Sequence, residues 1–495
     1  MQRPTRPRPT ILLQSLVAVL ALFLATPVVA ALGALRPEHA ERRARLFGAL
    51  GDGVTLVFGA GEPSKDYLPW QQARPFLYLT GFQEPNAALV MVERGGMRQE
   101  LLFVAEKDPA QEVWTGNRLG VAGVREEIGV EGRDIKTLRA VLDQLLKDGG
   151  GPLYVAGEFA TGGKPRTEHD QFLDSLRAAH PTIKVEDADA AIVLLRGTKS
   201  ASELARLRIA AEISANGHLA VMRAVQPGMG EFQAQAMAEG AWMMEGAEGP
   251  GYSSIVGSGP NATALHYNRN DRIVQAGEVI VMDMAASFDG YSADITRTVP
   301  VSGRFSPAQR EVYQLVLDAQ KAAERQVRVG GPSKAMTDSA NATLRAGLAK
   351  LGLIEAPDAT YDCGTAARAR QCSQLQLYYM HGLGHGIGLD VHDPDQYYAT
   401  GVIDVGSAFT IEPGVYVRAN LMEIIPDTPK NQAMKQRIAP AFAKYSGIGV
   451  RIEDDYLVTP AGVERPSSAV PREIDEVERE TSSARPPLSA IRRAP

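Results

Sequence analysis

The chain is 495 residues long, 44% hydrophobic and 22% charged, with a formal net charge of −6. That length leaves room for two or three domains with sizeable cores, and the composition is that of an ordinary soluble globular protein. The acidic balance, with no sustained Lys/Arg cluster in the body of the chain, excludes nucleic acid from the expected partners.

Residues 1–30 read as a signal peptide. Arg3, Arg6 and Arg8 give a positive start, Ile11–Leu24 is largely apolar, and Pro27-Val28-Val29-Ala30 offers small residues for cleavage. The apolar run is shorter than the about 20 residues a membrane helix needs. The expected product is therefore exported, periplasmic or secreted, with no stable membrane span after cleavage; an uncleaved anchor is the competing reading. No Cys follows the run and there is no twin-Arg pair.

Residues 38–190 form the first domain in this reading. Short apolar strands at Val54–Phe58, Ala87–Val92, Leu101–Ala105 and Pro152–Ala156 alternate with helical stretches such as Ile135–Leu146, a pattern that predicts an α/β layer. Val193 to Ser200 reads as the crossing into a second domain, 200–465.

The second domain opens on a helix with Ser200 as N-cap and Glu203 as its capping-box partner, closed by Pro227-Gly228. Another starts at Ser306-Pro307 with Gln309 as the box partner and closes near Gly330-Gly331-Pro332. Each is followed by a further helix (about 231–245 and 334–351) and then by strands rich in polar residues. The repeat suggests two halves facing each other about a pseudo-twofold axis, with a site between them.

Cys363 and Cys372 are nine positions apart, in no zinc-ligand spacing. In an exported protein they could pair across a short loop; a pair of free thiols stays open. Two Asn-Ala-Thr triplets, at Asn261 and Asn341, carry little weight. Residues 466–495, rich in Pro, Ser, Glu and Arg with few large apolar side chains, are expected to be disordered.

The chemistry concentrates in the second domain. Asp283 ends an apolar strand, Glu278–Met284, and Asp294 begins the next segment. A turn centred on Phe288-Asp289 would set the two opposite each other on one face, where like carboxylates repel unless a cation lies between them. Two solvated Asp residues on an exposed hairpin are the plain alternative. His385 lies in a Gly-rich run flanked by His381 and His392, and Glu412 precedes Pro413-Gly414 at a strand end. Arg451 and Glu453, two apart on a strand, share a face; a surface ion pair is the alternative there. Four carboxylates and one imidazole suffice to hold two divalent cations and activate a water between them.

These residues, in this order, resemble those of the pita-bread metallopeptidases, a family that includes methionine aminopeptidases, prolidases and aminopeptidase P. The resemblance covers nearly all of the chain after the leader except its tail. It implies an α+β fold: a C-terminal pita-bread (creatinase/aminopeptidase) catalytic domain preceded by an α/β creatinase/prolidase-like domain. By motif match Asp283, Asp294, His385, Glu412 and Glu453 fall on the family's five metal ligands, with Asp294 and Glu453 bridging. His266, His381 and His392 fall on its site histidines, and Arg451 would hold a ligand carboxylate.

Phe76 to Pro85 and Asp108 to Gly116 are similar to the aminopeptidase P branch. The implied activity is removal of the N-terminal residue from peptides with Pro second, by a metal-bridging hydroxide, with Glu412 passing a proton to the leaving nitrogen. Two divalent ions, Mn²⁺ first by the oxygen-rich ligand set, are the implied cofactors. Prolidase, acting on Xaa-Pro dipeptides, is the same-class alternative, and a non-catalytic binding module on the fold the other; a homo-oligomer is left open. The chain departs from the usual pattern at Met284-Ala285 and in an extended stretch between Glu412 and Glu453 that includes Met434–Tyr445, which leaves the substrate rim open.

Overall fold

Apolar runs punctuated by Gly and charge become the strands of a six-stranded mixed sheet in the first part of the chain. The computed structural model describes residues 35–63, 65, 70–147, 151–365 and 368–482. The expected signal peptide at 1–30 and the last residues, 483–495, lie outside them. The chain divides between Leu195 and Arg196 into two units.

In the first unit the strands are β1 Gly53–Phe58, β2 Ala88–Arg94, β3 Met97–Val104, β4 Glu131–Asp134, β5 Leu153–Ala156 and β6 Val185–Asp187, in the order β4-β3-β2-β1-β5-β6. Every residue of β1 is buried, as befits a central strand covered on both faces. Val54, Leu56, Val90 and Phe103 pack with Leu142 and Leu176 of the helices Leu138–Lys147 and Glu168–Ala179. The helix expected from Ile135 begins instead as a single 3₁₀ turn, Ile135–Thr137, because the Asp134 side chain caps the amide of Lys136.

In the second unit the helices α1 Ala201–Ala224 and α2 Glu231–Met244 pair, as do α3 Pro307–Glu324 and α4 Lys334–Leu351. Capping boxes form at Ser200–Glu203 and Ser306–Gln309. The first pair packs closely: a Cβ on Gly217 would lie 2.0 Å from Trp242 Nε1, so only glycine admits the buried indole. Strands β7 Ile255–Ser258, β8 Val279–Asp283 and β9 Thr296–Pro300 form one antiparallel group, with β8 central. Strands β10 Ala408–Ile411 and β13 Asp454–Thr459 pair antiparallel, as do β11 Gly414–Tyr416 and β12 Gly449–Arg451. A bridge between Thr296 and Glu453 joins the two groups. Strands from both halves thus meet where the polar motifs lie.

Three sequence expectations are corrected. The hairpin register runs Ser287 opposite Ser292 and Phe288 opposite Tyr291, so the turn centres on Asp289-Gly290, whose φ values of 50° and 79° suit a tight primed turn. Asp283 therefore faces Thr296, not Asp294. Moving the turn by one residue moves the pairing by two, so both aspartates keep the same face. Second, Arg451 and Glu453 do not share one strand: β12 ends at Arg451 and β13 begins at Asp454.

The third correction concerns the tail. Residues 466–482 are not disordered: they form a 3₁₀ turn, Pro466–Ala469, and a helix, Ile474–Thr481. Val470, Ile474 and Val477 repeat at helical spacing and enter the core. Arg472 Nη1 donates to Asp454 Oδ2 at 3.2 Å and Arg472 Nη2 to Glu324 at 2.7 Å. Buried Arg297 donates to Asp454 Oδ1 at 2.7 Å and to the carbonyls of Val470 and Pro471 at 2.9 Å each. Burial alone would raise the Asp454 carboxyl, but the guanidiniums of Arg297, Arg465 and Arg472 outweigh it and hold it at about 2. Composition missed this because the tail's few apolar residues are placed on one stripe. Cys363 and Cys372 form a disulfide across the hairpin Thr360–Asp362/Gln371–Ser373. No helix among the described residues is long and apolar enough to cross a membrane.

Candidate metal centre and active site

All nine side chains singled out in the sequence line one cleft of about 520 Å³ in the second unit: Asp283, Asp294, His385, Glu412 and Glu453, with His266, His381, His392 and Arg451. The strand ends place them. Asp283 closes β8, Glu412 follows β10, Arg451 ends β12 and Glu453 precedes β13. Helix α1 anchors the segment between Asp283 and Asp294 from behind: His218 Nε2 donates to the carbonyl of Met284 at 2.8 Å, and Ser214 Oγ accepts from the amide of Ala286, also at 2.8 Å.

The glycines of the His385 loop permit close approach. A Cβ on Gly384 would lie 2.0 Å from the Thr410 carbonyl oxygen, and one on Gly386 would lie 2.3 Å from that of Asp393. This lets Thr410 N donate to His385 O at 2.9 Å, seating the loop against β10.

The carboxylates are crowded and buried. Asp294, His385 and Glu453 each offer a ligand atom within 4.8 Å of the others. His385 Nε2 lies 3.4 Å from Asp294 Oδ2 and 3.6 Å from Glu412 Oε1. Burial, then repulsion from Glu453 and Asp283, pushes the Asp294 carboxyl far above the usual carboxylate range. Burial and Glu453 do the same to Glu412. Glu453 is raised to about 8 by burial and Asp283. Such a cluster holds protons or cations, since like charges in a dry cleft cannot all ionise alone.

The imidazoles are set for the same task. His385 Nδ1 donates to the Gly386 carbonyl at 3.1 Å, which leaves the Nε2 lone pair facing Asp294 and Glu412, the tautomer a metal ligand needs. Burial and neighbouring His392, whose ring centre is 4.0 Å away, depress its pKa to about 4. His381 is fixed likewise: Nδ1 donates to Gly382 O at 2.8 Å, and Nε2 accepts from Tyr416 Oη at 2.8 Å. Burial and Arg451 lower its pKa to about 4 as well, so both imidazoles are neutral at working pH.

Arg451 organises the floor. Its Nη2 donates to Asp283 Oδ2, its Nη1 to Tyr416 Oη at 3.0 Å and its Nε to Thr296 Oγ1 at 3.2 Å; Thr296 Oγ1 in turn donates to Glu453 Oε2 at 2.6 Å. The Asp294 amide donates to both oxygens of Asp455 at 3.2 Å. Asp283 and Asp294 each lie 2.7 Å from Tyr252 Oη, whose one proton satisfies one of them at a time.

Sequence reasoning missed Tyr252, Thr296, Tyr416 and Asp455. Tyr252 sits in Gly249-Pro250-Gly251-Tyr252-Ser253, a turn-like stretch with nothing to mark its hydroxyl. Tyr416 and Asp455 lie two residues from motif positions 414 and 453, where alternation along a strand is the only available signal.

The donor set fits a divalent cation: buried, oxygen-rich, with one imidazole of fixed tautomer and no thiolate, the pattern of Mn²⁺ and Mg²⁺ sites. Comparisons with known proteins point to a metallopeptidase. The profile of metallopeptidase family M24 matches residues 205–460, and that of the aminopeptidase P N-terminal domain matches residues 39–154. An Xaa-Pro aminopeptidase of Haemophilus influenzae is 33% identical over 450 residues, 90% of this chain and 96% of its own. One from Escherichia coli is 32% identical, over 90% and 97%. The solved structures of aminopeptidase P from E. coli (low pH form) and of proline aminopeptidase P II from Yersinia pestis each superpose with a TM-score of 0.76 at 30% identity, covering 90% of this chain and 98% and 99% of theirs. The chain belongs to metallopeptidase family M24, with an aminopeptidase P type of N-terminal domain and a pita-bread catalytic domain, and it is a metallopeptidase.

Proposed function

We propose that this family member is an exported Xaa-Pro aminopeptidase, releasing the N-terminal residue from peptides whose second residue is Pro. The observation that carries the reading is the convergence of five ligand side chains, three further histidines and Arg451 on one cleft, in a chain whose N-terminal domain is of the aminopeptidase P type. The Xaa-Pro aminopeptidases at 33% and 32% identity support it.

Asp283, Asp294, His385, Glu412 and Glu453 would hold two divalent ions, Mn²⁺ first by ligand chemistry. When bound, such a pair polarises a carbonyl and supplies a hydroxide at neutral pH. The remaining work belongs to the chain. Glu412 Oε2 lies 3.7 Å from His381 Nδ1, and Glu412 would pass the proton to the leaving nitrogen. His266 and His392 line the cleft and would orient the scissile carbonyl and stabilise charge developing on it. Arg451 holds Asp283 in place and so acts by positioning. A tertiary amide with no N–H and a fixed φ defines the proposed specificity.

Export rests on Arg3, Arg6, Arg8 and the apolar run to Leu24, and the Cys363–Cys372 disulfide suits an oxidising compartment. N-terminal sequencing of protein from fractionated cells checks it: a chain beginning at Met1 in the cytoplasm would oppose it.

The deciding experiment is kinetic. With Mn²⁺ supplied, Xaa-Pro-Yaa peptides should be cut at the first bond at least as well as Xaa-Pro dipeptides, and N-acetylated peptides refused. Cleavage of dipeptides alone would make the enzyme a prolidase, and metal-replete protein that cleaves neither would favour a binding module. Metal analysis under saturating Mn²⁺ that finds fewer than two ions per chain would sink the dinuclear centre.

A further inference from the structure

Beside the cleft lies a second recess, of about 430 Å³, walled by Pro260, Ala264, Leu265, Met380 and Ala419, with Arg418 in its lining. Leu265 lines both cavities, and two of the walls adjoin a cleft histidine in sequence: Leu265 precedes His266, and Met380 precedes His381. No carboxylate among the described residues lines the recess. Arg418 Nε is buried with no hydrogen-bond partner among the described residues. Arg418 is half-buried in the lining of a recess that offers it no described carboxylate, so its guanidinium is placed to receive an anionic group that a ligand brings.

The position of the recess says which part of a ligand reaches it. Tyr416 Oη is bonded to His381 Nε2, His381 approaches Glu412 at 3.7 Å, and Arg418 stands two residues after Tyr416. Glu412, on the reading above, delivers the proton to the leaving nitrogen, so the leaving peptide departs along the His381–Tyr416 side, toward Met380 and Arg418. Arg418 to Asn420 also begin the extended stretch, with helices Leu421–Ile424 and Pro429–Tyr445, that the usual motif pattern lacks.

We propose that this recess is a subsite for the residues that follow Pro, in which Arg418 pairs with the C-terminal carboxylate of a short peptide while Leu265 and Met380 pack on its apolar parts. The enzyme would thereby favour short oligopeptides with a free carboxylate beyond Pro over long or amidated chains. The inference rests on the Xaa-Pro aminopeptidase reading.

The test uses the full mature enzyme loaded with Mn²⁺ and pairs of substrates differing only at the C-terminus: Xaa-Pro, Xaa-Pro-Yaa and Xaa-Pro-Yaa-Zaa as free acids and as amides. A charge-assisted hydrogen bond should favour the acid by on the order of tenfold in kcat/KM, carried mainly by KM, at the tri- or tetrapeptide length. Arg418→Met, which keeps the apolar stem, should bring that ratio close to one, and Arg418→Lys should restore part of it. An acid-to-amide ratio that Arg418→Met leaves unchanged at both lengths would overturn the subsite. A ratio confined to the dipeptide would also overturn it, since Arg418 would then close over the carboxylate of Pro itself. Wild-type enzyme that cleaves no Xaa-Pro peptide would remove the underlying reading instead, before the variants are compared.

Discussion

Arg196 donates through Nη2 to Asp393 Oδ1, joining the first residue of the catalytic unit to the loop that carries His385 and His392. The same nitrogen reaches Asp390 Oδ2 at 2.6 Å, and Lys199 Nζ lies 3.2 Å from Asp393 Oδ2. Asp393 N in turn donates to Gly386 O at 2.8 Å. The two ends of the histidine loop are thus clamped to each other and to the chain entering α1.

Removing one partner of a buried ion pair typically costs about 3–5 kcal/mol, because the other charge stays behind. Lys199 also faces Asp393, so Arg196→Met should fall toward the lower end of that range. It should also lower kcat, since His392 loses its fixed approach to His385. Thermal unfolding of the two single variants and of the Arg196→Met, Asp393→Asn pair gives the coupling. Strictly additive effects would mean that the contact does no positioning.

Much of this architecture was legible because it depends on local chemistry. Ser200–Glu203 and Ser306–Gln309 announce their helices through a reciprocal cap that needs four residues and no tertiary context. The five candidate ligands were legible because metal chemistry restricts the side chains that serve, and His266, His381, His392 and Arg451 through the family resemblance; all nine line one cleft. The hairpin register was misplaced because Asp289-Gly290, not Phe288-Asp289, takes the positive φ values, and only the backbone decides between them. Tyr252 and Asp455 were invisible for a different reason: each acts through a partner distant in sequence, Asp283 and Asp294 respectively. The order in 466–482 depends on Asp454 and Glu324 accepting from Arg472, contacts no composition records.

Glu412→Gln should lower turnover far more than substrate binding. The substitution removes the charge of a proposed ligand and the carboxylate that faces His381 at 3.7 Å; loss of a general acid/base alone costs about 10²–10⁴-fold. Steady-state kinetics with parallel metal analysis checks it. Near-normal kcat with metal bound would take the proton-transfer role away from Glu412.

Reducing the Cys363–Cys372 bond should destabilise the protein modestly. The bond closes a loop only nine residues apart in sequence, which places it at the lower end of the ~2–4 kcal/mol usual for disulfides. Cys363→Ser with Cys372→Ser should lower the unfolding midpoint while leaving activity at saturating Mn²⁺ intact, because no described residue of the hairpin Thr360–Ser373 lines the cleft. Two alkylatable thiols in unreduced, exported protein would contradict the bond.

The carboxylate cluster should make the metal-free enzyme lose stability as pH rises from about 6.5 to 8. Glu453 is raised to about 8, and Asp294 and Glu412 well above the carboxylate range, chiefly by burial. In the unfolded chain all three ionise near 4. Between those values the folded state binds more protons than the unfolded one, so stability falls with rising pH and is lost progressively as each group passes its folded pKa. The neutral His381 and His385, held at about 4 by burial, act with the opposite sign, adding stability as pH rises to about 6.5. Above that value their unfolded forms shed the remaining protons, so this opposing contribution fades and is largely gone by about pH 7.5, which makes the upper end of the window the clean one. Divalent ions replace the missing protons, so saturating Mn²⁺ should abolish or reverse the slope. Unfolding midpoints measured with chelator and with Mn²⁺ across pH 6.5 to 8 should therefore diverge, the gap widening toward pH 8. Parallel lines would mean that the cluster carries no excess protons when it lacks metal.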